Sequence, residues 1–194
     1  MKKISFIAIL ILSVNLLSFA QKYKVENEKS KVEWYAEKIT GFHEGNIKLK
    51  SGEFLVVSNI IKTAEFEIDM NSILCTDLTD KTYNDQLIGH IKSDDFFGVA
   101  KFPTAKFVLT SPILFEKGTA IVRGNLTIKG ITNQIEFKAV FQKLADGFKI
   151  NANIIIDRTK FDVKYGSGSF FENLGDKTIY DEFKIKLNLF AKTE

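Results

Sequence analysis

Few residues in this chain can do chemistry. Two histidines, His43 and His90, and a single cysteine, Cys75, stand among 194 residues. A nucleophilic system needs a hydroxyl or thiol, an imidazole and an orienting acid converging in space. No local pattern here supplies that convergence. His43, between Phe42 and Glu44 and flanked by Gly41 and Gly45, reads as a loop residue. His90 reads as a hydrogen-bonding link between a helix and the body of the fold, or as a ligand contact. There is no His-x-x-x-His spacing and no Cys pair, so no metal site is expected. Cys75 follows Ile73-Leu74 with no Lys or Arg within three residues. That context suits a buried small hydrophobe better than an activated thiolate. Asp94 and Asp95 are adjacent, so they point apart and suit capping or surface roles. Gly166-Ser167-Gly168-Ser169 lacks the spacing and the Lys of a phosphate-binding loop and reads as a mobile segment. Arg158, just after Ile154-Ile155-Ile156, either pairs with Asp157 or another carboxylate or meets a polar headgroup. This inventory favours no enzyme.

The chain as a whole must therefore be read for binding. Lys plus Arg number 27 against 24 Asp plus Glu, and the two signs interleave, as in Glu65-Phe66-Glu67 and Lys184-Ile185-Lys186. A nucleic-acid partner would demand a clustered basic excess, so it is excluded. Lys2-Lys3, the apolar run Ile4 to Leu12 and Ser18-Phe19-Ala20 have the form of a cleaved secretory leader over residues 1–20. The remainder, 21–194, reads as one domain in the periplasm or outside the cell. With one Cys it has no internal disulfide.

Period-two alternation dominates that domain. Val32, Trp34 and Ala36 alternate with charged neighbours, as do Ala64, Phe66, Ile68 and Met70. Similar runs occupy 45–57, 105–109, 122–128, 135–141, 148–156 and 183–189, giving about eight strands. Turn signals lie at Lys50-Ser51-Gly52, Glu116-Lys117-Gly118, Lys129-Gly130 and Ala145-Asp146-Gly147. Within 79–97, Leu87, Ile88 and Ile91 follow a helical spacing. The spacing predicts a short helix with Asn84 or Asp85 near its start and Ser93 capping a further turn.

An all-β fold with these strands closes into an antiparallel barrel or packs as a sandwich. Trp34, Phe66, Phe107, Phe137, Phe141, Phe148 and Phe183 share an inward face with Ala64, Ala105, Gly124, Ala139 and Ala152. Such a mixture outlines either a cavity or an interlocked solid core.

Particular motifs narrow the choice. His90 to Phe97, followed by Lys101-Phe102-Pro103-Thr104-Ala105-Lys106-Phe107, resembles the central signature of the YceI-like family, the lipid- and polyisoprenoid-binding proteins of bacteria. Tyr23-Lys24-Val25 with Ser30 to Trp34, Gly124 to Thr132, and Asp157-Arg158 with Phe161 match it in order and spacing. Leu87-Ile88 stands where the family usually carries Arg-Asp, and Asp162 where a Gly commonly follows the Phe. The resemblance implies an extended lipocalin-like antiparallel barrel holding a long-chain apolar molecule, an isoprenoid, quinone-like or other lipid, with no further cofactor. On that reading Trp34, Ala64, Phe66, Ile68, Phe107, Leu126, Phe137 and Ala152 face the apolar chain. His90 and Arg158 stand at its head, and the tunnel runs the roughly 30 Å of a barrel strand. The alternative is a solid-cored interaction domain whose loops, Phe170-Phe171 above all, dock a membrane surface or membrane protein transiently.

Overall fold

The computed structural model describes residues 20–115 and 118–194. The expected leader, save Ala20, and the Glu116-Lys117 part of one expected turn lie outside the described residues. Ten strands form in chain order: β1 (Ala20–Val25), β2 (Lys31–Lys38), β3 (Gly41–Val57), β4 (Ile60–Cys75), β5 (Thr104–Leu109), β6 (Ile113–Leu114), β7 (Thr119–Ile128), β8 (Ile131–Lys143), β9 (Gly147–Asp157) and β10 (Ile179–Thr193). Among the described residues one α-helix, α1 (Lys81–Lys92), interrupts them.

The strands close on themselves. Around the ring, β2, β3, β4, β5, β7, β8, β9 and β10 pair in that order, all antiparallel, and β10 pairs with β2 again. Closure leaves no free edge in the ring. Two short strands complete it: β1 takes over beside β3 and β10 where β2 has ended, and β6 pairs with β4 beyond β5. The fold is thus the eight-stranded antiparallel barrel with one short helix that the alternation and the family resemblance imply.

Alternation carries the packing. Val32 and Trp34 on β2 are buried, as are Ile150, Ala152, Ile154 and Ile156 on β9. In register, Trp34 faces Ile185 across one boundary and Gly45 across the other. Gly45 is required there. A Cβ on it would lie 1.7 Å from the Leu74 carbonyl oxygen and 2.8 Å from the Trp34 indole nitrogen. With no side chain in the way, Trp34 Nε1 donates to Leu74 O at 2.9 Å, which satisfies the one polar atom of this buried ring.

Several local expectations are corrected. Lys50-Ser51-Gly52 is no turn: β3 runs through it, and Gly52 admits the ring of Phe66 and the side chain of Val25, both within 3 Å of where its Cβ would sit. The real hairpin turn between β3 and β4 is Ser58-Asn59, both at positive φ, a turn without glycine. Helix α1 begins earlier than Asn84, because Asp80 accepts from the backbone N–H of Thr82 and Tyr83. Ser93 ends the helix: its hydroxyl donates to the His90 carbonyl. The Gly166–Ser169 segment is anchored, with Ser167 fully buried and Ile179 N donating to Gly166 O at 2.8 Å.

Two glycine substitutions should therefore move stability in opposite directions. Gly45→Ala drives a methyl into backbone and should cost about 3 kcal/mol or more. Gly89→Ala, on the exposed face of α1 with open space around it, should stabilise by about 0.8–1 kcal/mol. Urea unfolding of the two variants beside the wild type checks both signs.

Candidate functional site

The inward faces of the ring do not fill the barrel. They leave a cavity of about 280 Å³, nearly twice the roughly 150 Å³ of an engineered void that stays dry and binds benzene. Its wall is almost wholly hydrocarbon. Trp34, Ala64, Phe66, Ile68, Phe107, Leu126, Phe137 and Ala152 all line it. The chain places them there by register: Phe66 faces Phe107 across β4 and β5, and Phe107 faces Leu126 across β5 and β7. The rings of Phe66 and Phe107 sit 6.4 Å apart, and those of Phe107 and Phe137 5.7 Å apart.

The two ends differ. One is plugged by packed rings: Phe148 meets Tyr23, Phe54 and Phe115 edge-on, with centroids 4.9, 5.7 and 5.2 Å away. These rings close that end of the barrel's interior. At the other end, where β2 turns into β3 and β10 begins, the lining turns polar with Glu37, Lys38, His43, Arg158 and Tyr180. Helix α1 and the turn after it lie over this end. Leu87, Ile91, Phe96 and Phe97 reach the cavity, and Phe97 packs on Phe183 at 6.4 Å.

Arg158 is held by the scaffold. Its side chain is buried, and three of its five N–H groups are taken: Nε donates to Tyr180 O at 3.1 Å, Nη1 to Val163 O at 2.7 Å and Nη2 to Ile179 O at 2.9 Å. Asp157 is not its partner; that carboxylate accepts from the backbone and hydroxyl of Thr159. The nearby acid is Asp181, 3.6 Å from Nη2. Burial pushes the Asp181 carboxyl up, but the hydroxyls of Ser167 and Ser169 and the Arg158 charge outweigh it and hold the group below its ordinary value. The arginine thus ties the turn after β9 to the start of β10, with little capacity left for a headgroup.

His90 does not join the lining. Its ring stands edge-on between Phe96 and Tyr165, 4.9 and 4.5 Å away, with Asp95 Oδ2 at 3.4 Å from Nε2. The helical phase explains this: Leu87 and Ile91, four apart on α1, take the face toward the barrel. Met70, Ile73, Phe97, Phe183, Ile185 and Leu187 also line the cavity. Phe183 was visible in the inward alternation. Phe97 was not, since it comes from the irregular turn after α1. His43 lies inside β3 and not in a loop, and its ring reaches the rim. Among the described residues, His43, Cys75 and Asp77 bring potential metal-ligating atoms together.

Known proteins resemble this arrangement. A family model described as the YceI-like domain matches residues 23–191. A UPF0312 protein of Pseudomonas putida is 32% identical over 141 residues, 69% of this chain and 71% of that protein. Among solved structures, Burkholderia cenocepacia BcnA superposes with a TM-score of 0.62 at 25% identity, covering 87% of this chain and 99% of its own. A polyisoprenoid binding domain from Saccharophagus degradans gives 0.64 at 15% identity, covering 89% and 98%, a likeness of fold.

Replacing Arg158 by Met leaves three carbonyls without their donor and should cost about 3–5 kcal/mol in chemical unfolding. Arg158→Lys should recover only part of that loss, since an ammonium cannot span three acceptors in the plane of a guanidinium.

Proposed function

Because the chain belongs to the YceI-like family, we propose that it is an exported, non-enzymatic carrier that sequesters a long-chain apolar molecule inside its barrel. The observation that carries this reading is the cavity itself. A space of about 280 Å³ walled almost wholly by hydrocarbon is what a ligand site for an apolar chain requires. An apolar occupant of it gains by leaving water. The polyisoprenoid-binding name of the Saccharophagus degradans neighbour supports an isoprenoid or similar lipid chain as the ligand class.

The ends of the cavity suggest how the ligand lies. Its tail points at the Tyr23, Phe54, Phe115 and Phe148 plug, and any polar head stays at the rim with Glu37, Lys38 and His43. Exposed Phe42, Tyr180, Phe170 and Phe171 offer an apolar surface for transient contact with a membrane during loading. The leader expected over residues 1–20 supports export. Among the described residues no helix is long and apolar enough to cross a membrane. A solid-cored interaction domain would need none of this internal space, which favours the carrier reading over it.

Trp34 is the single tryptophan and lines the cavity, so its fluorescence reports occupancy directly. Along a series of linear alcohols, affinity should rise by up to ~0.8 kcal/mol per buried CH₂ and then level off when the tail reaches the aromatic plug. Ala152→Phe should bring the plateau to shorter chains with short-chain affinity nearly unchanged. Binding indifferent to chain length would overturn the carrier reading.

A further inference from the structure

The rim of the cavity holds a second constellation with its own chemistry. His43 and Gly45 share one face of β3, while Cys75 ends β4 and Asp77 follows two residues later. Gly45 pairs with Cys75 in register, and Thr76 N continues the pairing by donating to Glu44 O at 2.8 Å. Carried one step further, the antiparallel register brings Asp77 opposite His43. The result is an imidazole, a thiol and a carboxylate whose ligand atoms all lie within 4.8 Å of one another. His43 Nδ1 sits 2.8 Å from Asp77 Oδ2, and Cys75 Sγ donates to Asp77 Oδ1 at 3.1 Å.

Two readings of the trio can be separated. In a catalytic thiol system the cysteine would be activated by a neighbouring positive charge or a base. Here its Sγ–H donates to a carboxylate, and no Lys or Arg stands within three residues of it in the chain. That geometry orients the thiol without activating it as a nucleophile. The carboxylate tells the other way. Asp77 is partly buried, and no lysine or arginine among the described residues pairs with it; its ion-pair partner is His43. Its position is fixed from outside the trio, because Glu44 N donates to Oδ1 at 2.9 Å. A ligand oriented by a backbone donor is the usual outer-shell support of a metal site.

We propose that His43, Cys75 and Asp77 form a three-ligand site for a divalent cation of borderline softness, Zn²⁺ by its donor set, at the rim of the apolar cavity. One nitrogen, one sulfur and one carboxylate oxygen suit zinc better than the all-oxygen preference of magnesium or calcium. A tetrahedral zinc with bonds of about 2.0–2.3 Å sets its ligand atoms roughly 3.3–3.8 Å apart. The 2.8 Å between His43 Nδ1 and Asp77 Oδ2 needs to open by only about half an ångström, while Oδ1 keeps its backbone donor, and Cys75 Sγ already lies within 4.8 Å of the other ligand atoms. On binding, the metal replaces the thiol proton, which leaves to solvent, and three protein ligands keep a fourth position free for water or another donor. Since His43 lines the cavity, the cation sits at the rim of that pocket.

Cobalt titration of the purified, untagged protein tests this without any ligand for the barrel. Co²⁺ should bind one-to-one, giving a sulfur-to-cobalt charge-transfer band in the near ultraviolet and the intense visible bands of a four-coordinate ion, both erased by one equivalent of Zn²⁺. Cys75→Ser should abolish the charge-transfer band. His43→Ala and Asp77→Asn should each weaken Zn²⁺ binding more than about tenfold, with circular dichroism confirming an intact barrel. A wild-type cobalt complex lacking the thiolate band would overturn the proposal whether or not the variants fold. So would Zn²⁺ affinity unchanged by Cys75→Ser. Neither result bears on the carrier reading, which the fluorescence series judges separately.

Discussion

Closure of the eight-stranded ring is the constraint on which the other features depend. Once every ring strand is paired on both sides, each strand turns one set of alternating side chains inward, and those side chains can reach only one another. Large inward rings such as Phe66, Phe107 and Phe137 and small inward residues such as Ala64, Ala105 and Ala152 then cannot tile the space evenly. A cavity is the consequence. Gly45 shows how tightly closure is specified: the backbone at Leu74 comes so near that no other residue fits, and the same approach satisfies the Trp34 indole. The apolar wall therefore carries no unpaired donor at that position.

Polar groups are pushed to the ends by the same constraint. Arg158 is buried where β9 leaves the ring, and its charge is tolerated because three backbone carbonyls and Asp181 surround it. Asp162, in the turn this arginine supports, takes a left-handed backbone at φ 58°. Aspartate is among the few residues other than glycine that visit that conformation readily. The aromatic plug and the polar rim give the cavity a direction.

The strands were legible because period two is a direct imprint of one-sided burial, and it survives in β2, β4, β7, β8, β9 and β10 with little interruption. What failed was punctuation. Gly52 looks like a turn but serves a ring packed on β3, and Ser58-Asn59 turns the chain without the glycine that would announce it. The cavity wall followed from alternation, whereas Phe97 came from a turn with no period to read. Arg158 was visible as an odd charge after an apolar strand, yet its partners are carbonyls, which carry no side-chain signature. The His43, Cys75 and Asp77 cluster was illegible for a deeper reason. His43 lies 32 residues before Cys75 and 34 before Asp77, and only the β3–β4 register, with its shift after Asn46, brings it beside them.

The central claim, that the barrel's interior is a ligand's place, is tested most directly by what the purified protein carries. Protein purified without detergent should yield, on organic extraction and mass spectrometry, an apolar chain-bearing compound approaching one molecule per chain. An extract indistinguishable from that of an unrelated protein prepared in parallel would contradict it.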